Sequence, residues 1–227
     1  MVANRILDAL PTADRARLAA TMAAVSIEPD AVLFEPGQVI DGVYFLQTGV
    51  VALVGTIEQG ATVEVATVGN EGVVGVPLVA GGFLAVRAIS AVRGTALRME
   101  ASAFLEELDR GGALSGLVQT YIQGLFGQIS QAVGCNRLHS NEQRLSRWLL
   151  LAQDRAAVDE FAISQGFLVR VLGISAQAAT LTVDALVSSN LIRKRGGQVT
   201  IVDRSGLLAA ACECYGTLTG QLEGVVR

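Results

Sequence analysis

The sequence predicts an α+β fold: an N-terminal, jelly-roll-like β-roll, then a long helix, then a C-terminal winged helix-turn-helix. Three observations support it. Short β-branched runs separated by glycine turns fill residues 26–100, one long helical pattern covers residues 113–134, and two capped helices with a glycine-pair hairpin follow in residues 161–202. We therefore expect three units, which comprise residues 1–112, 113–135 and 136–227.

The composition excludes several classes of protein. Hydrophobic residues make up 51% of the 227 positions and charged residues 17%, a balance too apolar for intrinsic disorder. The longest nearly uncharged apolar stretch, residues 73–86, is shorter than the about 20 residues that a membrane-spanning helix needs. The N-terminus has no apolar signal core and three cysteines are too few for a disulfide framework, so we expect a cytoplasmic protein.

Charge is distributed unevenly along the chain, whose net charge is −4. Residues 1–136 contain 7 arginines against 13 acidic residues, whereas residues 137–204 contain 9 basic against 6 acidic residues. This asymmetry indicates an acidic first module and a basic second module that could approach a polyanion such as DNA. Chance scatter of surface charge is the alternative, because a basic patch alone does not prove nucleic-acid binding.

The first 110 residues combine short helices with a β-domain. Apolar residues up to Met22 predict one or two helices within residues 4–24, with Thr12 as an N-cap. Strands are predicted where apolar residues alternate with period two, as in Val50/Ala52/Val54. The strands are separated by turns at Pro36-Gly37, Thr48-Gly49, Gln59-Gly60, Gly69–Gly72, Gly81-Gly82 and Gly94.

The long helix carries a heptad seam, since apolar residues recur at steps of four and three. The seam consists of Val118, Ile122, Leu125, Ile129 and Ala132, which we predict as a dimer interface. Leu114, Leu117 and Tyr121 form a neighbouring stripe that would face the β-domain. An amphipathic helix buried in its own domain is the alternative, because it shows the same pattern.

Residues 161–202 have the pattern of a winged helix-turn-helix. Ser164 is placed to cap a first helix, Gly173 to form the turn, and Ser175 to cap a second helix with the inner face Ala179, Val183 and Leu186. Residues 191–202 form two β-prone arms around Gly196-Gly197, which predicts a hairpin in the position of a wing. Helical patterns are also expected over residues 142–154 and near residues 207–215.

This order of elements resembles the CRP/FNR family of bacterial transcription regulators. The motifs that carry the resemblance are Cys135-Asn136-Arg137-Leu138-His139-Ser140, Arg144-Leu145-Ser146-Arg147-Trp148, Leu172-Gly173-Ile174 and Cys212-Glu213-Cys214-Tyr215, with a looser match at Phe34-Glu35-Pro36-Gly37. The resemblance implies a homodimeric regulator that binds double-stranded DNA at a near-palindromic operator and works with RNA polymerase. It does not indicate which effector, if any, such a regulator binds. A degenerate relative that binds a ligand or a protein, without operator recognition, is the second hypothesis.

The resemblance also places the DNA contacts. They fall on Ser164, Gln165, Ser175, Gln177, Thr180, Arg193, Lys194 and Arg195. The serines and Gln165 would hold phosphates at helix N-termini, Gln177 and Thr180 would read bases, and the three wing cations would contact phosphates. The arginine positions of the family's recognition helix fall on Ala176 and Leu181 here. An ordinary exposed glutamine and a solvated turn are the alternatives for Gln177 and the wing.

No cofactor, metal or enzymatic activity is expected. Where cyclic-nucleotide-binding relatives have Gly-Glu and Arg-Ser pairs, this chain has Gly75-Val76-Pro77-Leu78 and Leu84-Ala85-Val86-Arg87, so we predict no response to cyclic AMP. Arg87 either points into the pocket or lies on the surface of a strand. Cys212 and Cys214 would diverge on a continuous helix, which favours packing over a shared metal or a redox pair, and His139 is assigned to packing or phosphate contact.

Overall fold

The computed structural model describes residues 4–56, 61–80, 85–156 and 158–223. The N-terminal part contains α1 (Arg5–Asp8), α2 (Thr12–Ala19), β1 (Met22–Ile27), β2 (Val32–Phe34), β3 (Gly42–Leu46), β4 (Val50–Thr56), β5 (Thr62–Val68), β6 (Val73–Val74), a 3₁₀ helix (Val76–Ala80), β7 (Val86–Val92) and β8 (Gly94–Glu100). The C-terminal part contains α3 (Ala101–Asp109), α4 (Ala113–Leu138), α5 (Asn141–Ala156), β9 (Glu160–Ala162), α6 (Gln165–Leu172), α7 (Ala176–Ser188), β10 (Ile192–Arg195), β11 (Gln198–Ile201), α8 (Arg204–Ala210) and α9 (Cys214–Glu223). This architecture confirms the predicted fold class.

Two antiparallel sheets form the β-roll, with the strand orders β1-β8-β3-β6 and β2-β7-β4-β5. Alternation along the strands places Val43 and Phe45 of β3, and Val51 and Leu53 of β4, in one hydrophobic core between the sheets. Burial of this apolar surface is the main favourable contribution to the stability of the β-roll. The predicted turns at Gln59-Gly60 and Gly81-Gly82, and Leu84, lie outside the described residues.

Helix α4 turns the predicted seam towards its own chain. Val118 and Leu125 are buried in the β-roll core, and Ile122 and Ile129 pack against that core. These four residues therefore contact the chain's own β-roll, as in the alternative of a helix buried in its own domain, and the dimer interface predicted from them stays a prediction. Ala132, the fifth residue of the seam, is half-buried.

The outer face of the sheet β2-β7-β4-β5 packs against the C-terminal half. Val54 and Ile89 from this face share a second hydrophobic core with Trp148 of α5 and Phe167 of α6. The ring centroids of Trp148 and Phe167 lie 5.3 Å apart. The helix-turn-helix is thus joined to the β-roll by a continuous apolar contact.

Several predicted element ends are wrong. Met22 begins β1, where it pairs with Met99, instead of extending a helix. Pro11, not Thr12, occupies the N-cap of α2 and makes no side-chain cap. The tail is not one helix near residues 207–215, since α8 ends at Ala210 and α9 begins at Cys214. Among the described residues no single helix is long and apolar enough to cross a membrane, and only α6 and α7 taken together, bent by 102°, reach that length and composition.

Candidate nucleic-acid interface

Helices α6 and α7 form a bent pair whose angle of 102° is typical of a helix-turn-helix. Ser164 Oγ accepts a hydrogen bond of 3.0 Å from the N–H of Phe167, and Ser175 Oγ accepts one of 3.2 Å from the N–H of Ala178. Both predicted N-caps are therefore confirmed as caps. Gly173 ends α6 with a φ of +64°, a conformation that disfavours residues with a side chain.

The first turn of α7 is open to solvent. Ala176, Gln177 and Leu181 are exposed, whereas Ala179 and Val183 are buried on the inner face, as predicted. The free N–H groups of a helix N-terminus favour anions such as phosphate. The solvent-facing side of α7 is therefore the part of this motif that can meet a ligand.

Two of the predicted contact residues bond to each other. Gln165 Nε2 donates to Thr180 Oγ1 at 2.7 Å and to the carbonyl of Ala176 at 3.0 Å. The Thr180 hydroxyl donates to the same carbonyl at 3.1 Å. These bonds hold the start of α6 against α7 and occupy the hydroxyl proton of Thr180. Gln177, in contrast, makes no side-chain hydrogen bond with a described residue.

Strands β10 and β11 form the predicted hairpin around Gly196-Gly197. Because side chains alternate along a strand, the three wing cations do not share a face. Lys194 lies beside Thr180 and Val183 of α7, and the other two cations, Arg193 and Arg195, line an open cleft with Glu160, Gln198 and Thr200. None of the three forms an ion pair within the described part of the chain.

Arg87 lies on the outer side of the β-roll. Arg87 pairs with Val54 of β4, and the side chain of Val54 belongs to the second core, between the β-roll and the C-terminal half. The residues on either side of Arg87, Val86 and Ala88, face the core between the two sheets. Arg87 Nε donates a hydrogen bond of 2.8 Å to Oε2 of Glu35. Of the two alternatives left open by the sequence, the structure supports the surface arginine.

A cluster that sequence reasoning missed lies where the end of α4 meets the start of α9. The ligand atoms of Cys135, His139, Cys212 and Cys214 all lie within 4.8 Å of one another. The expectation that Cys212 and Cys214 diverge is wrong, because Cys212 lies before α9 and does not follow helical periodicity. The four-residue spacing of Cys135 and His139 on one helix was the available signal. A hydrogen bond with the Cys212 thiol lowers the pKa of Cys135, and the positive charge of Arg147 acts in the same direction.

Two family models match the chain. The cyclic nucleotide-binding domain matches residues 24–110, and the Crp-like helix-turn-helix domain matches residues 143–210. Comparison of the sequence with curated proteins gives no match.

Solved structures with a similar fold include three bacterial proteins. FixK2 from Bradyrhizobium japonicum has a TM-score of 0.66 and 15% identity, with 84% of this chain and 98% of that chain covered. A transcriptional regulator of the CRP/FNR family from Eubacterium rectale has a TM-score of 0.69 and 12% identity, with coverages of 90% and 96%. The c-di-GMP-responsive regulator CLP from Xanthomonas campestris has a TM-score of 0.65 and 15% identity, with coverages of 85% and 100%.

These structures share the fold over 84–90% of this chain, and the two family models match a part of each of its modules in the same order. The capped helix pair, the exposed start of α7 and the basic hairpin beside it are the parts that such regulators need for DNA. The chain therefore belongs to the CRP/FNR family of DNA-binding transcription regulators.

Proposed function

We propose that the chain acts in the cytoplasm as a homodimer that binds a near-palindromic operator through α7 and the wing and works with RNA polymerase. The observation that carries the proposal is the solvent-exposed, capped start of α7, flanked by Lys194 and followed by Arg193 and Arg195 on the other face of the wing. Two copies of α7 would enter successive major grooves about 34 Å apart. Gln177 is then the side chain placed to read a base, and the cations hold phosphates.

The exposed side of α4 supports a dimer. Phe126 and Val133 are 71% and 70% exposed and lie seven residues apart on this side, together with Gln123 and Ser130. Large apolar side chains repeated every seven residues are typical of a helix that pairs with a second helix. We therefore assign the dimer contact to this stripe instead of to Val118 and Leu125.

The proposed regulator does not respond to cyclic AMP. A cyclic phosphate inside the β-roll needs a cation that points inward, and Arg87 is on the outer face and bound to Glu35. Saturable binding of cyclic AMP in titration calorimetry with the purified protein would contradict this part of the proposal.

The second hypothesis is a family member without operator recognition. It is favoured because the exposed start of α7 has few polar side chains. The Thr180 hydroxyl donates its proton to the carbonyl of Ala176, so among the described residues of the first two turns Gln177 is the polar side chain left to contact a base. Each good bidentate contact contributes about 1–3 kcal/mol of base discrimination, so one reader gives limited specificity.

One experiment separates the two hypotheses. Genomic fragments are incubated with the purified full-length protein, selected by gel shift, and competed with an excess of bulk DNA. We expect a small set of fragments that share a near-palindromic sequence and resist competition. If every fragment is displaced equally at low salt, the protein has no operator and the second hypothesis is correct.

A further inference from the structure

We propose that Cys135, His139, Cys212 and Cys214 bind one structural zinc ion. Three thiolates and one imidazole are a common ligand set for Zn²⁺, and four protein ligands leave no open position for a substrate. The three cysteines are buried and His139 is mostly buried, so the proposed ion would be closed off from solvent.

All four ligand atoms lie within 4.8 Å of one another, and two of the distances between them match those around a tetrahedral ion. Bond lengths of about 2.3 Å to sulfur and about 2.0 Å to nitrogen place two sulfur ligands about 3.7 Å apart and a sulfur and a nitrogen about 3.5 Å apart. Cys135 Sγ and Cys212 Sγ are 3.7 Å apart, and Cys214 Sγ lies 3.6 Å from Nδ1 of His139. The gap between Cys135 and Cys212 is far longer than a disulfide bond of about 2.05 Å.

Hydrogen bonds from neighbouring side chains orient two of the proposed ligands, His139 and Cys214. Nε2 of His139 lies 3.2 Å from Oε1 of Glu213, which leaves Nδ1 facing the sulfur atoms. A carboxylate on the second ring nitrogen is typical of histidines that bind metals, because it fixes the tautomer. Gln131 Nε2 donates to Cys214 Sγ at 3.0 Å, a bond that stabilises a thiolate.

Two buried arginines, Arg144 and Arg147, place positive charge near the cluster. Arg144 and Arg147 are buried, and neither forms an ion pair within the described residues. The Nε of Arg147 has no hydrogen-bond partner, and Glu64 lies near it but beyond ion-pair distance. A zinc ion with three thiolates carries one net negative charge, which would offset the cost of burying these guanidinium groups.

The proposed ion would join two distant parts of the chain. Cys135 and His139 lie at the end of α4, and Cys212 and Cys214 flank the start of α9, 77 residues away for the pair Cys135 and Cys212. The helix that carries the proposed dimer contact would thus be tied to the end of the DNA-binding module. The site itself does not depend on the proposed function, since it requires neither an operator nor a dimer.

The first test measures metal in the full-length protein. The protein is purified under reducing conditions without chelator, and zinc, iron, copper and nickel are determined by mass spectrometry of the digested sample. We expect about one zinc ion per chain. Replacement by Co²⁺ should produce thiolate-to-cobalt charge-transfer bands and the visible bands of a tetrahedral ion. Protein without zinc that also develops no such bands, protein that holds iron instead, or a Cys135–Cys212 disulfide in its place would each overturn the proposal.

The second test uses variants. Cys212→Ser should lose the bound zinc, and loss of a structural metal can also unfold the surrounding residues. Glu213→Gln is therefore the more discriminating change, because it leaves all four ligands in place. We expect this variant to keep one zinc ion but to bind it about 10–100-fold more weakly in competition with a chelator. Glu106→Gln, at an exposed site on α3, is the matched control and should leave the affinity unchanged. Equal affinities for Glu213→Gln and the control would contradict the assigned role of Glu213, and zinc retained by Cys212→Ser would overturn the site.

Discussion

The indole nitrogen of Trp148 in α5 donates a hydrogen bond of 2.9 Å to Oε2 of Glu64 in β5, and both side chains are buried. Oε1 of the same carboxylate accepts a bond of 2.9 Å from the hydroxyl of Thr67. Burial raises the pKa of Glu64, although the nearby charge of Arg147 opposes the shift. One carboxylate of the β-roll therefore satisfies polar groups from both modules at their boundary.

Loss of this acceptor should weaken the whole chain. Glu64→Leu leaves the buried indole N–H and the Thr67 hydroxyl without their partner, and we expect the free energy of unfolding to fall by about 1–3 kcal/mol. Glu64→Gln keeps an acceptor and should cost less. Urea unfolding followed by the fluorescence of Trp148, the single tryptophan, measures both variants. Equal losses for Leu and Gln would show that the hydrogen bond contributes nothing.

A second polar link crosses the same boundary. Arg155 Nε lies 3.0 Å from Oε1 of Glu71, and the two side chains are 4% and 3% exposed. Arg155→Met leaves the buried carboxylate of Glu71 without its ion-pair partner, so we expect the free energy of unfolding to fall by about 3–5 kcal/mol. The double variant Arg155→Met with Glu71→Gln removes both charges and should recover part of that loss in the same urea titration. A double variant less stable than the single variant contradicts this reasoning.

Stability in acid should depend on Glu107 of α3. Hydrogen bonds from Arg17 at 3.2 and 2.8 Å lower the pKa of Glu107, with a smaller contribution from Arg110, while burial and Asp14 oppose the shift. The folded pKa of Glu107 therefore lies below the unfolded value of about 4.3. The stability that ionised Glu107 contributes is fully present above the unfolded pKa and is lost as the pH falls through the folded pKa.

Glu107→Gln should therefore lower the melting temperature modestly at pH 7. The difference from the wild type should shrink as the pH is lowered below the unfolded value of about 4.3, because the wild-type carboxylate becomes protonated as the pH falls through its lowered folded pKa. Thermal unfolding at several pH values tests this expectation, with Glu106→Gln as the exposed control on the same helix. A difference that stays constant over this range would exclude a role for the charge.

The wing and α7 should have separable effects on DNA. Arg195→Ala and Lys194→Ala each remove one phosphate contact, so the slope of log affinity against log salt should become shallower by about 1 without a change in the preferred sequence. Arg15→Ala, on α2, is the matched control. Fluorescence anisotropy over a range of salt concentrations measures the slopes, and slopes identical to that of the wild type would remove the wing from the interface.

Gln177→Ala should act on sequence preference. We expect discrimination between the operator and a scrambled site to fall by about 1–3 kcal/mol, since Gln177 is the free polar side chain at the start of α7. Ser188→Ala, at the exposed end of the same helix, controls for general effects on α7. An equal loss of affinity for operator and scrambled DNA would place Gln177 on the phosphate backbone instead.

The exposed stripe of α4 should control assembly. Phe126→Asp puts a charge at the centre of the proposed helix pair, so we expect monomers in sedimentation velocity and operator affinity about 100-fold or more weaker, because the two half-sites are no longer bound together. Val39→Asp is the matched control, since Val39 is also 71% exposed but lies on the β-roll. A dimer that survives Phe126→Asp would move the contact to another surface.

Local features were predictable from the sequence because their causes are local. Ser164 and Ser175 cap helices through bonds to residues three positions later, and Gly173 supplies a left-handed turn that short-range sterics demand. The hairpin at Gly196-Gly197 has the same kind of origin. Together with strand alternation, these signals were enough to define the β-roll, the long helix and the winged helix-turn-helix.

Which side of an element faces which neighbour was decided only by the tertiary structure. The heptad pattern of α4 is compatible with a dimer seam and with a face packed on its own domain. In the structure Val118 and Leu125 are buried in the β-roll core, whereas Phe126 and Val133 are exposed. The prediction that Cys212 and Cys214 point apart likewise assumed that both lie on one continuous helix. The break before α9 brought both to Cys135, a contact between residues 77 positions apart that no local rule encodes.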